Sequence, residues 1–459
     1  MSARHALRVL LVGVGTSVVP LDTAVNIAFP EITGNFGLPI QAIQWVVICY
    51  VLTYSSLMLA FGRAGDVWSH GRVFRIGLLW SGIAYLLCAA APGYGWLLFS
   101  RFLQGIGAAL IVSCAPALVT GLFPEDRRSR AVGVFTVMYA VGSAAGPLLG
   151  GVLVEIWGWP AVFWFRAPIA VTALLFLGDL PAPPRSATRE PIDLAGAFLL
   201  ALAISTFLLM FNQLRYLERD AFLPVAFAAI AGTSVIGFIL WEGRVALPIV
   251  NLGFFRVEGF TAVNLASVLI SLTSFAVLLF GPYYLARFTD LSMAMAGAVL
   301  GMSFVGSILA SPMAARLIER LPASRVAAFG ALLSGASLAV IGSCKPGLSW
   351  LAIAVIGALA LQGFAVGLFQ VAYMDIVLRA LPRQHRGVAG SIAMLSRSLG
   401  VVGGATLLTL AFNAIESSTL AAGQAPAESF LTSFSLTFYT AGIASALAGL
   451  LVLARPSRR

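Results

Sequence analysis

The chain has 459 residues, of which 60% are hydrophobic and 10% are charged, and its formal net charge at pH 7 is +10. An average soluble domain is about a quarter charged, so this composition excludes an ordinary soluble fold. Apolar segments of about twenty residues recur along the whole chain, which is typical of transmembrane helices. The sequence therefore predicts an all-α polytopic membrane protein, with the lipid bilayer as its first partner.

The apolar segments predict fourteen transmembrane helices, and an even count places both termini on one side of the membrane. We interpret the first segment as an uncleaved helix rather than a signal peptide, because its apolar run continues to Ala28. The predicted spans are 7–28, 41–61, 73–92, 96–121, 131–153, 160–178, 193–212, 221–241, 260–284, 293–315, 324–343, 349–376, 388–412 and 431–454.

The distribution of basic residues indicates the orientation. With a cytoplasmic amino terminus, 21 of the 28 Lys and Arg residues fall in predicted inside segments, four fall outside, and Arg101, Arg166 and Arg397 lie within spans. Cytoplasmic loops of membrane proteins carry such an excess, so we expect both termini to be cytoplasmic in a plasma membrane, the inner membrane of a bacterium. Because topology explains the positive charge, nucleic acid is not expected as a partner.

A polar, proline-rich stretch from Leu180 to Pro191 follows the sixth predicted span and marks a division of the chain. We expect an N-terminal six-helix bundle over 1–180, a linker with two additional helices over 181–258, and a C-terminal six-helix bundle over 259–459.

The tripeptide Leu-Gln-Gly occurs twice, once in the fourth span of each predicted bundle. It lies at 103–105 and again at 361–363. Transporter folds are often built from internal repeats, so this position favours a duplicated six-helix half.

Several local patterns carry a family resemblance. The segments 62–72, 101–109 and 142–151 read GRAGDVWSHGR, RFLQGIGAA and GSAAGPLLGG. They resemble the GxLaDrxGrr, RxxQGxGAA and GxxxGPxxGG signatures of the major facilitator superfamily. Segments 21–30 and 386–400 resemble patterns of its fourteen-helix drug:proton antiporters.

This resemblance implies a major facilitator fold, with two six-helix bundles and two extra helices between them. It also implies secondary transport of a small molecule without a cofactor or metal, with protons as the second partner and the proton gradient as the energy source. In the family, the loop after the second helix latches the two halves in one conformation, a role that falls here on Gly62, Asp66 and Arg72. The alternative is a tight polar turn.

The fifth span contains the residues of the antiporter motif. Glycines four apart share one helix face and allow close backbone approach, and a proline within the helix removes one hydrogen bond and permits a bend. In the family this pattern is associated with exporters rather than importers. The residues of this antiporter-motif helix are Gly142, Gly146, Pro147, Gly150 and Gly151.

Ionisable residues within spans are costly, so each should face a cavity or a partner. From the helical rise of 1.5 Å, Asp22, Arg101 and Arg166 lie at one level, roughly 8 Å below the outer face, and Arg397 lies nearer the midplane. We expect these four residues, with Gln104, to line a proton and substrate cavity in which Asp22 exchanges a proton or contacts substrate. The alternative is that Asp22 is an ion-pair partner that only fixes helices.

The sixth span departs from the family pattern, because Arg166 stands where the family usually has Asn. A guanidinium group binds carboxylates and phosphates bidentately, so this residue predicts a substrate with an anionic group.

The favoured function is a proton-coupled exporter of drugs, toxic metabolites or amphipathic small molecules. An importer of a small metabolite and a lipid- or ligand-handling membrane protein without ion coupling remain alternatives. A nucleotide is not expected, because the chain has no GxxxxGK[ST] motif and its only lysine is Lys345. An enzyme is not expected either, because the spans hold no paired acid and base.

Overall fold

The computed structural model describes residues 3–121, 128–177, 193–213, 221–245, 253, 256–344, 351–380 and 386–454. All regular structure in these ranges is helical. The helices of the first part of the chain are α1 (Ala3–Ser17), α2 (Ala24–Ile27), α3 (Phe29–Asn35), α4 (Gln44–Trp68), α5 (His70–Ala89), α6 (Tyr94–Gly121), α7 (Arg128–Trp157), α8 (Ala161–Trp164) and α9 (Arg166–Phe176).

Two helices follow the predicted linker, and six more complete the chain. They are α10 (Leu194–Gln213), α11 (Phe222–Glu242), α12 (Phe260–Phe288), α13 (Met293–Arg320), α14 (Ala323–Gly342), α15 (Leu351–Ala380), α16 (Arg386–Ala421) and α17 (Pro426–Ala454). Short 3₁₀ segments occupy Pro20–Thr23 and Ile40–Ile43.

Within the described residues, twelve helical segments are long and apolar enough to cross a membrane. The predicted all-helical membrane fold is therefore confirmed. The predicted count of fourteen is not, because the spans at 160–178 and 193–212 appear as shorter apolar helices over Ala161–Phe176 and Phe198–Phe207. The segment Ala161–Phe176 is interrupted between α8 and α9, and it ends beside residues outside the described ranges.

The chain divides into two compact units. The first contains Met1–Ala201 and Ser292–Gly297, and the second contains Leu202–Leu291 and Ala298–Arg459. In the first unit α6 packs against α4 and α5, and α7 packs against α2 and the 3₁₀ segment Pro20–Thr23. In the second unit α14 packs against α15 and α17, and α12 packs against α16 and α17. The three-part division expected from the linker stays a prediction.

The Leu-Gln-Gly repeat occupies equivalent positions in the two units. Gly105 on α6 lies against α4, so that a Cβ there would stand 2.8 Å from the carbonyl oxygen of Tyr50. Gly363 on α15 lies against α13, where a Cβ would overlap the carbonyl oxygen of Ser303. In both units, therefore, the glycine permits close contact between the second and fourth long helices of a six-helix block.

Alanine at either repeat glycine should destabilise the protein, because a methyl group would force two helix backbones apart. We expect Gly105→Ala and Gly363→Ala each to lower the free energy of unfolding by about 1–3 kcal/mol. Thermal unfolding of the detergent-purified protein measures the effect. Gly95→Ala on α6 and Gly357→Ala on α15 are matched controls, since nothing lies within 4 Å of a Cβ at either position. Equal melting temperatures for tight and open positions would refute this packing argument.

Candidate functional site

The first span is broken where it carries its carboxylate. α1 ends at Ser17, a 3₁₀ segment occupies Pro20–Thr23, and α2 begins at Ala24. Pro20 has no backbone N–H to continue an α-helix, which explains why the tighter turn starts there. Asp22 lies within this short segment, and 14% of its side-chain surface is exposed. The break thus presents a carboxylate inside an otherwise apolar span.

The glycine face of α7 supports this broken segment. A Cβ at Gly142 would lie 3.0 Å from the ring of Pro20. Further along, a Cβ at Gly146 would lie 2.9 Å from the backbone nitrogen of Ala24, and one at Gly150 would lie 2.8 Å from its carbonyl oxygen. Three glycines of the predicted antiporter motif therefore allow α7 to contact the backbone on both sides of Asp22.

The remaining two motif residues contact the start of α13. A Cβ at Gly151 would overlap the carbonyl oxygen of Met293, and a Cβ at Gly297 would overlap that of Pro147. All four residues belong to the first compact unit. The motif helix therefore makes close backbone contacts on two faces.

Arg101 on α6 forms a bidentate ion pair with Asp22. Its Nη1 lies 2.7 Å from Oδ1 and its Nη2 lies 2.9 Å from Oδ2, while its Nε donates to the carbonyl oxygen of Val46 at 2.8 Å. Gln104, one helical turn further, donates to Oδ1 at 2.8 Å and accepts a bond from Nη1 of Arg101 at 2.8 Å. Every donor nitrogen of Arg101 is thus hydrogen-bonded, and the pair is electrically neutral.

Arg166, at the start of α9, adds a second cation. Its Nη1 lies 2.7 Å from Oδ1 of Asp22, and its Nε donates to the carbonyl oxygen of Val162 at 3.2 Å. Its Nη2 has no hydrogen-bond partner among the described residues, although the residue is fully buried. An unsatisfied buried donor costs about 1–3 kcal/mol, and more when it belongs to a charged group.

Three aromatic rings hold the two guanidinium groups. That of Arg101 lies 4.4 Å from the ring centre of Tyr50, and that of Arg166 lies 4.4 Å from the ring centre of Tyr85. Phe163 lies 5.8 Å from the first and 5.7 Å from the second. Such cation–π contacts contribute about 0.5–2 kcal/mol each and fix the arginine positions.

The charges of this cluster do not cancel. One carboxylate faces two guanidinium groups, so the buried cluster carries a formal charge of +1 when all three residues are ionised. Oδ1 of Asp22 accepts three hydrogen bonds and Oδ2 accepts one. The surplus charge favours uptake of one anion at an arginine. A proton would bind at Oδ2, the less occupied carboxylate oxygen, and would raise the charge of the cluster to +2.

The structure brings together four of the five predicted cavity residues: Asp22, Arg101, Gln104 and Arg166. Arg397 lies on α16 in the second compact unit, where its side chain is exposed, and its place in the cavity stays a prediction. The depth of a residue along a helix was the basis of that prediction, and depth does not determine the direction in which the side chain faces.

The predicted latch loop is a tight turn. α4 ends at Trp68 and α5 begins at His70, with Ser69 alone between them at φ +88°. Gly62 lies on α4 and the side chain of Arg72 is exposed on α5, whereas the side chain of Asp66 lies outside the described residues. The latch function stays a prediction.

Sequence reasoning missed the aromatic rings around the arginines and a second carboxylate, Glu31 on α3. Nothing in the spacing of Tyr50, Tyr85 or Phe163 distinguishes them from ordinary apolar packing residues. Glu31 follows the first span, where partial burial raises the pKa of its carboxyl while the backbone N–H of Trp159 opposes that rise.

Gly146→Ala should displace the broken segment, because the methyl group would overlap Thr23 and press on the backbone nitrogen of Ala24. The hydroxyl of Thr23 donates to the carbonyl oxygen of Ser143 at 2.9 Å, and this bond would be lost with the shift. We expect a loss of about 1–3 kcal/mol in thermal unfolding. Gly82→Ala on α5, where nothing lies within 4 Å, is the control. A Gly146→Ala protein as stable as this control would contradict the contact.

A double-mutant cycle on Asp22 and Arg166 tests the charge cluster. Asp22→Asn leaves two buried cations without a counter-ion and should cost about 3–5 kcal/mol, whereas Arg166→Gln keeps the neutral pair with Arg101 and should cost less. In the Asp22→Asn/Arg166→Gln protein one cation is gone, so we expect less than the summed loss, with a coupling of about 0.5–3 kcal/mol. Additive changes in thermal unfolding would mean that these two side chains do not interact.

Comparison with known proteins agrees with this architecture. The sequence profile described as the Major Facilitator Superfamily matches residues 11–259 and 263–459. A crystal structure of a bacterial homologue of the human lysosomal transporter Spinster, inward-facing and unoccupied, covers 100% of this chain and is itself covered in full, with a TM-score of 0.68 and 17% sequence identity. This likeness shows the fold.

Two relatives are similar over most of their length. The puromycin resistance protein pur8 of Streptomyces alboniger is 31% identical over 95% of this chain and 87% of its own. The riboflavin transporter RibZ of Clostridioides difficile is 27% identical over 85% of this chain and 84% of its own. The resemblance expected from the motifs is thereby confirmed, and the chain belongs to the Major Facilitator Superfamily.

Proposed function

We propose that the protein is a secondary active transporter that exports amphipathic small molecules in exchange for protons by alternating access. The observation that carries this proposal is the carboxylate of Asp22, which lies on a broken membrane helix and bonds to residues of two other helices. A carboxylate in this position can link a proton to the arrangement of those helices.

The physical basis of coupling is electrostatic. Ionised Asp22 attracts Arg101 and Arg166, and so ties the 3₁₀ segment to α6 and α9. Protonation, most easily at Oδ2, removes the negative charge and leaves the two arginines without their shared counter-ion. A local change of charge then favours a different helix arrangement, as in other protein switches. A proton entering down a potential of 100 mV supplies about 2.3 kcal/mol.

The comparisons support export without deciding it. One relative is named for resistance to puromycin, which agrees with removal of a compound from the cell. Another is named a riboflavin transporter, so uptake of a small metabolite is the second candidate. An enzymatic role has no support, because the family and these relatives are transporters.

The membrane arrangement belongs to the same proposal. Arginines concentrate in the segments that lie on one side of the membrane when the predicted spans are followed in order. Arg4 and Arg8 precede the apolar run of the first span and belong to that side. We propose fourteen spans, with the two shorter apolar helices included, in the inner membrane of a bacterium with both termini in the cytoplasm. Cells expressing tagged termini, probed with a membrane-impermeant protease, test this orientation.

Export can be tested with the compounds named for the relatives. Bacteria that overproduce the protein should accumulate less puromycin or less riboflavin than cells with an empty vector, and a protonophore should abolish the difference. Asp22→Asn should remove the protonophore-sensitive part at equal amounts of membrane protein, because the amide does not exchange a proton at neutral pH. Higher riboflavin accumulation would instead support uptake.

Glu31→Gln is the matched control, since Glu31 is a partly buried carboxylate near the same helix but outside the charge cluster. We expect it to retain the protonophore-sensitive difference. Loss in Glu31→Gln together with full activity in Asp22→Asn would transfer the proposed proton site to α3 and contradict the role of Asp22.

A further inference from the structure

We infer that Arg166 binds an anionic group of the transported molecule, most simply a carboxylate, which replaces Asp22 on this arginine. The inference rests on the proposed function, because the anionic group is part of the cargo. It deepens that proposal by naming the chemical class that the site recognises and the atoms that recognise it.

The first argument is the charge count. Asp22 and Arg101 form a complete pair, with two parallel hydrogen bonds at 2.7 and 2.9 Å and a further bond from Gln104. Arg166 is the surplus cation, and it reaches the carboxylate through Nη1 alone. Removing Arg166 from Asp22 would leave a neutral pair in place, whereas removing Arg101 would not. The second arginine is therefore the one free to exchange its partner.

The second argument is the unused donor. Arg166 is fully buried, its Nε and Nη1 have partners, and its Nη2 has none among the described residues. An arginine that only neutralised Asp22 could do so with both terminal nitrogens, as Arg101 does. A carboxylate can accept from Nη1 and Nη2 together, because the spacing of its two oxygens matches the guanidinium fork.

The third argument concerns the rest of the ligand. The guanidinium group of Arg166 is stacked on Tyr85 and lies close to Phe163, so the binding group meets aromatic surface beside the charge. A planar aromatic acid fits this combination, because its ring packs on the aromatic side chains while its carboxylate reaches the arginine. A primary ammonium group would meet a cluster that already carries a formal charge of +1.

Binding to purified protein in nanodiscs tests this directly. The probes are 1-naphthylacetate, its neutral amide 1-naphthylacetamide, and the cation 1-naphthylmethylammonium, with benzoate and benzamide as a smaller pair. Ligand-induced stabilisation gives the half-saturating concentration of each. We expect the carboxylates to bind at least ten-fold more tightly than their amides, with no stabilisation by the cation. Equal binding of carboxylate and amide in both pairs would overturn the inference.

Arg166→Gln should abolish the preference for carboxylate over amide, and Arg166→Lys should retain part of it, because lysine keeps the charge but not the fork. Arg287→Gln is the matched control, since Arg287 also stacks on an aromatic ring, Phe430, at 5.0 Å but lies outside the cluster. It should keep the full preference. A preference that persists in Arg166→Gln would overturn the assignment, and the comparison of probes on the unaltered protein stands even if that variant does not fold.

The binding measurement requires no gradient and no direction of transport. Equal binding of carboxylate and amide to the unaltered protein therefore counts against the anion site alone. A protonophore-sensitive difference that persists in Asp22→Asn counts against the proposed coupling alone.

Discussion

One carboxylate holds two buried arginines between the helices of the first compact unit, and the arrangement of those helices depends on it. Each buried ion carries a desolvation penalty of several kcal/mol, which good geometry and additional hydrogen bonds must offset. The offset here comes from a bidentate pair between Asp22 and Arg101, a bond from Gln104 and aromatic rings beside both guanidinium groups. The charge on Asp22 is thus a strong constraint on three helices, and a change in that charge would alter all of them together.

The glycines of α7 explain how this constraint is positioned. They contribute no charge and no hydrogen-bonding side chain, yet they determine where the backbone around Asp22 can lie. Small residues serve the same purpose in many membrane helices, where packing replaces the hydrophobic effect as the source of association. The antiporter motif on α7 and the carboxylate of Asp22 on the first span therefore belong to one packed structural unit.

The helices and three residues of the charge cluster could be predicted from the sequence, because a membrane span has a limited range of lengths and a fixed rise per residue. Segment length predicted the helices, and the rise per residue placed Asp22, Arg101 and Arg166 at one level, where the structure brings them into contact. The same rule gave only a depth for Arg397, since the facing direction depends on tertiary packing that a single span does not encode. The tyrosines beneath the arginines were missed for a related reason: in an apolar chain, an aromatic residue gives no signal that it stacks on a cation. The role of these residues in transport stays a prediction.

The interruption of the first span has a mechanical consequence. A 3₁₀ helix rises about 2.0 Å per residue and an α-helix about 1.5 Å, so conversion of the four residues Pro20–Thr23 would shorten the span by about 2 Å. The accompanying rotation, about 20° per residue, would turn the carboxylate of Asp22 away from its present partners. A displacement of this size is enough to exchange one set of hydrogen bonds for another. A change of winding in this segment would therefore move the charge of Asp22 both along and around the helix axis.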